Sequence, residues 1–135
     1  MMTSRILSRA DILGIANDIQ TEEVQVPEWG GAVLIRGLTG AERDAFEATI
    51  IGEKADKKYN FINFRSRLVA MAAVDSEGRQ LFRPSDVADL GRHSAVALQR
   101  VFAVAQRLSG LSAADVEELE KNSSGGITPA ASTSD

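Results

Sequence analysis

His93 is the single histidine among 135 residues, so any histidine-based acid or base chemistry would have to be built around it. A nucleophilic triad needs a hydroxyl and a carboxylate held on either side of the ring. No motif near His93 supplies them, and its place just before a helical run is more simply explained by capping or surface exposure. The absence of cysteine removes disulfides, thiolate nucleophiles and thiolate metal sites together, and one histidine excludes a histidine-rich metal site. Glu117, Glu118 and Glu120 could in principle pair for acid and base work, but they read as the solvated face of a helix. The glycines of "WGG" and "GLTG" have neither the lysine and hydroxyl of a phosphate loop nor the dinucleotide spacing, so they are turn and cap residues. No catalytic centre, cofactor site or metal site is identified, and the chain reads as a binding protein rather than an enzyme.

The composition bounds what can position a binding surface. A chain of this length is most simply one domain that buries a core without disulfides. Apolar residues make up 44% and aromatics only 5%, so the core must be built from Ala, Val, Leu and Ile, which favours packed helices. No signal peptide is read at the start, because Asp11 interrupts it, and no apolar run approaches the ~20 residues needed to cross a bilayer. The expectation is a soluble protein with no membrane partner. Nineteen acidic residues against fifteen basic ones give a net charge of -4, which repels nucleic-acid phosphates. The charge is uneven: Asp11, Asp18, Glu22, Glu23 and Glu28 precede Arg36 with no cation after Arg9, and Lys54, Lys57, Lys58, Arg65 and Arg67 cluster later. Ordinary solvated faces account for this, and so would a surface oriented for self-association or a partner.

The punctuation of the chain predicts the elements. Ser8 and Asp11 have capping-box spacing, so a short helix begins near Arg9 and ends before Ile19. Val24 and Val26 alternate with polar neighbours, Pro27 removes a ladder donor, and Gly30 and Gly31 permit the positive φ of a reversal, which predicts a hairpin over about residues 20–37. Thr39 and Glu42 form a second capping box, opening a helix with Phe46 and Ile50 on one face and Gly52 as its stop. The polar "GEKADKKYN" is a loop. "FINFRSRLVAMAAV", with Phe61, Phe64, Leu68 and Met71 at helical spacing, is a core helix, followed by a turn at Gly78. Pro84 and Ser85 introduce a short helix ended by Gly91. The longest helix follows, with Leu98, Val101, Phe102, Ala105 and Leu108 in one apolar stripe, and Gly110 stops it. Ser112 and Asp115 cap a last, acidic helix. After Lys121, "NSSGGITPAASTSD" is too polar to repay ordering. The expected fold is therefore helix-dominated α+β, a single domain over about residues 1–121 with an N-terminal β-hairpin packed on a small helical bundle, and a flexible C-terminal tail over about 122–135.

Two kinds of binding surface follow. Trp29, beside the hairpin reversal, either folds back over the core or offers an anchor to another chain. The helix before Gly91 and the longer one after His93 could together form a helix-turn-helix, and a small DNA-binding regulator is the alternative reading. Against it, the longer helix carries only Arg100 and Arg107 as cations, and the last helix is acidic.

The stretch "VPEWGGAVLIRGLTGAERDAFE", followed by "RLVAMAAVDSEGRQLF" and "DVADLGRHSAVALQRVFAVAQRLSGLSAADVEELEKN", resembles the tail assembly chaperones of long-tailed, siphovirus-like bacteriophages and prophages, over most of Ile6 to Asn122. The resemblance implies a protein of the host bacterial cytoplasm, absent from the mature virion. It would bind the long helical tape measure protein, keep it soluble and help recruit major tail tube subunits; a homo-oligomer is the self-association that the uneven charge would allow. It also implies a longer product made by ribosomal frameshifting. Glu120, Lys121 and Asn122 can be encoded by an A-rich run on which a ribosome slips. A tape measure helix would dock on apolar contacts from the stripe, Leu98, Val101, Phe102 and Leu108, or on Trp29 and the hairpin edge.

Overall fold

A computed structural model describes residues 4–51 and 63–123. Helix α1 (Arg9–Leu13) precedes the strands β1 (Thr21–Val26) and β2 (Gly31–Arg36), which are followed by α2 (Gly40–Ile51), α3 (Phe64–Ala72), β3 (Ala73–Val74), α4 (Val87–Leu90), α5 (Ala95–Leu108) and α6 (Ala113–Ser123). The expected helix-dominated α+β architecture is present, with one strand more than the hairpin. The sheet is antiparallel in the order β1-β2-β3.

The hairpin forms where its residues predict it. Thr21 pairs with Arg36 and Val26 with Gly31, and the reversal is a short 3-10 turn from Pro27 to Trp29 closed by Gly30 at φ 77°. Of the two glycines at the reversal, Gly30 alone uses the left-handed region; Gly31 is already the first residue of β2. The period-2 pattern turns Val24 and Val26 inward beside Ile35, while Thr21, Glu23 and Gln25 face out. α5 crosses the inner face against β1 and β2 and packs on α3, and α2 packs on α3 and α6. Phe46 of α2, Phe64 of α3 and Phe102 of α5 form a chain of tilted rings through the centre, with centroids 5.2 and 5.6 Å apart.

The third strand corrects the sequence expectation of a helix through Val74. Ala73 leaves the helix with extended dihedrals, φ -77° and ψ 134°, because β2 has an open edge there: Leu34 pairs with Val74 and Ile35 with Ala73. At the other end, α6 continues to Ser123, past the Lys121 where the composition changes. Phe61, the Gly52 stop, the loop containing Lys54, Lys57 and Lys58, and positions 124–135 of the predicted tail lie outside the described residues.

All three capping boxes form. Ser8 and Asp11 exchange bonds of 3.1 and 2.9 Å, as do Thr39 with Glu42 and Ser112 with Asp115 at similar lengths. Glu42 does more than cap, because Arg36 at the end of β2 grips it through two bonds of 2.9 and 2.8 Å, tying the hairpin to α2. The Arg36 guanidinium, helped by the Thr39 amide, holds the Glu42 carboxyl down to about 2 from an ordinary 4.5. A depressed carboxylate pKa contributes stability that is complete above the unfolded value and fades as the pH falls from about 4.5 towards 2. The side chain is 36% exposed, so screening reduces the contribution to about 1 kcal/mol. Glu42→Gln is expected to melt ~4 °C below wild type near neutral pH, and the gap should close by about pH 2 in paired melts. A gap that persists there would place the effect elsewhere than in the carboxylate charge.

Candidate functional site

A solvent-facing notch of about 480 Å³ lies at the start of α5, with Leu98 at its floor and Arg65, His93, Val96 and Gln99 around it. Local sequence positions each group. Ser94 caps α5 by accepting the Ala97 amide at 3.2 Å, which starts the helix with Ala95 and Val96 in its first turn. The α5 stripe turns Ala97, Leu98, Val101, Phe102 and Ala105 inward, and Val96, just off that stripe, is 62% exposed. Arg65 arrives from α3: its Nε donates to Gln99 Oε1 at 2.7 Å, and its guanidinium lies 5.4 Å over the Phe102 ring. His93 meets the edge of Trp29 with ring centroids 6.0 Å apart and planes 70° to each other.

The hairpin is fastened beside this notch by charge. Glu28, next to Trp29, accepts two bonds from Arg100 at 2.5 and 3.2 Å, and Glu22 accepts Arg107 at 2.8 Å. The Arg100 hydrogen bond holds the Glu28 carboxyl below its usual range. Arg100 and Arg107 are the two cations that a recognition helix would have turned towards phosphates, and both are occupied by the chain's own carboxylates. The described geometry therefore offers nothing in favour of the DNA-binding alternative.

The residues expected to contact a partner divide into two sets. Trp29 is half-buried against the core and, through His93, borders the notch whose floor is Leu98. Val101 and Phe102, at 0% and 2% exposure, belong to the core, and Leu108 packs half-buried against it. Of the stripe expected to supply apolar contacts, Val101 and Phe102 are covered by α3 and the sheet. Helical spacing does not mark Val96, Arg65 and Gln99 as contacts. An aliphatic residue off the stripe was the available signal for Val96, whereas the approach of Arg65 depends on the packing of α3 against α5.

Hydroxyls that a catalytic reading would recruit are engaged in architecture. Ser94 caps α5, and buried Ser109 accepts the Leu38 amide at 3.1 Å. Among the described residues no group of three or more His, Asp or Glu stands close enough to hold a metal ion, and no helix is long and apolar enough to cross a membrane. A second cavity of about 550 Å³ lies beside α3, between Asn63, Arg67, Met71, Gln80 and Val87, and burial lowers the pKa of the Arg67 guanidinium there.

No family model matches the chain, and no curated protein matches it in sequence. Among solved structures it is similar to the tail assembly chaperone of bacteriophage HK97, at 18% sequence identity and a TM-score of 0.51, with 67% of this chain and 85% of that chain covered. At this identity the likeness is one of fold.

Proposed function

We propose that this chain is a phage tail assembly chaperone, a binding protein without catalytic activity. It engages the tape measure protein while the tail is built, keeps it soluble and helps recruit major tail tube subunits. The observation that carries this reading is the likeness of fold to a solved chaperone of that kind over most of both chains. The sequence resemblance over Ile6 to Asn122 points the same way.

The physical task fits a binding module. A tape measure protein carries long apolar helical stripes before the tube encloses it, and uncovered stripes aggregate. A reversible partner must offer apolar contacts rimmed by polar groups, and the notch beside Trp29 has that character. On this reading the protein acts in the host cytoplasm, self-associates or binds as a monomer, and leaves before the virion is complete. The longer frameshifted product belongs to the same proposal, and a gene with no A-rich heptamer at Glu120 to Asn122 would remove it.

Co-expression with the tape measure protein encoded alongside it tests the function. The tape measure protein is expected in the soluble fraction and co-purifying with this chain, and in the pellet when expressed alone. A tape measure protein that is soluble alone and does not bind overturns the reading.

A further inference from the structure

We infer that the notch at the start of α5 is the docking site for an apolar helical side chain flanked by carboxylates, carried by a protein other than this one. The inference rests on the chaperone reading for the helical nature of the partner; the notch itself specifies the chemistry. Val96 supplies an exposed aliphatic surface above the floor made by Leu98. The polar side chains that line it include one cation and no carboxylate: Arg65 is fixed by Gln99 and the Phe102 ring, and His93 leans on Trp29. In a chain whose net charge is -4, this is an apolar surface with a cation and no carboxylate in its lining, so it favours an apolar side chain with acids beside it.

The exposed segments among the described residues do not match that requirement. Ile6 and Leu7 lie between Arg5 and Arg9, and Leu81 lies between Arg79 and Arg83, so both would bring cations to the Arg65 guanidinium. Ile12 and Leu13 follow Asp11, whose carboxylate is already held by Arg5 and the Ser8 amide. Ile15 and Asp18 lie in irregular chain before β1, where no helical spacing relates them. α6 has the exposed carboxylates Glu117 and Glu118, but its Val116 and Leu119 pack into its own core. Among the described residues a second copy therefore offers no segment that combines the two features.

Full-length wild type, Val96→Asp and Val96→Lys would each be co-expressed with the tape measure protein, and binding read as the soluble tape measure protein that co-purifies with each. Both variants remove the aliphatic surface, but only Asp opposes acidic neighbours. Val96→Asp is expected to bind at least tenfold more weakly than Val96→Lys, with both melting as wild type does because the site is exposed. Wild-type affinity in Val96→Asp would overturn the notch and leave the chaperone reading standing. Equal losses in the two variants would overturn the acidic partner chemistry. Self-association of the free chain that depends on Val96, read by light scattering, would make a second copy the occupant and overturn the inference. Failure of wild type to bind the tape measure protein would overturn both the chaperone reading and the notch.

Discussion

Phe102→Ala is expected to remove about 4 kcal/mol of stability and lower the melting temperature by ~15 °C. The side chain is 2% exposed and stands between the ring of Phe64 and the guanidinium of Arg65, at 5.6 and 5.4 Å. Truncation therefore loses the transfer of a large apolar group, leaves a cavity at the junction of α3 and α5, and removes an aromatic pair and a cation–π contact worth roughly 1 kcal/mol each. Total stabilities of small domains run to roughly 5–15 kcal/mol, so the variant should fold in the cold and be largely unfolded at a growth temperature its parent tolerates. The same variant separates a core role from a contact role. Below its transition, tape measure affinity should stay within about threefold of wild type, because Phe102 is buried and Arg65 keeps its bond to Gln99. Lost binding in a variant that remains folded by near-ultraviolet circular dichroism would return Phe102 to the partner interface.

That ambiguity over Phe102 arises at the sequence level. A stripe repeating at helical spacing marks a face that something covers, and the repeat is the same whether the cover is the chain's own sheet or another protein. The stripe from Leu98 to Leu108 was legible; the α3 and sheet surfaces that cover it were not. Capping boxes lie at the opposite extreme. Ser8 with Asp11, Thr39 with Glu42, and Ser112 with Asp115 close over three residues, so local chemistry was enough to place three helix starts. β3 escaped for a non-local reason: Ala73 and Val74 continue a helical pattern, and only the waiting edge at Leu34 and Ile35 draws them into the sheet. The pairs Glu28–Arg100 and Glu22–Arg107 span 72 and 85 positions. An acidic N-terminal stretch and a two-arginine helix were both visible, but not that each neutralises the other. The notch mixes the two situations, since Val96 off the stripe is readable and the arrival of Arg65 is not.

The joint that holds these non-local pairs in register leads to the second large effect. Gly37→Ala is expected to cost about 3 kcal/mol and ~12 °C, although the change adds a single methyl group. A Cβ on Gly37 would stand 2.4 Å from the carbonyl oxygen of Leu108 and 3.0 Å from its carbon, and because both atoms are backbone, no side chain can rotate away. Relief requires the end of α5 to retreat from β2. The retreat stretches the 3.1 Å bond from the Leu38 amide to buried Ser109 and displaces Gly110, whose carbonyl accepts Arg43 at 3.2 Å. It also pulls Arg107 from Glu22, so the variant should lose part of the salt dependence that this pair gives to wild-type melting. Gly40→Ala is the matched control. It adds the same methyl at the first residue of α2, where nothing lies within 4 Å, and should leave stability unchanged or raise it by up to about 0.5 kcal/mol. Paired thermal melts decide the point: a separation of ~12 °C places the loss in the contact between Gly37 and Leu108, whereas similar melting points would mean that the joint yields at little cost and that the hairpin is not held in place by this close approach.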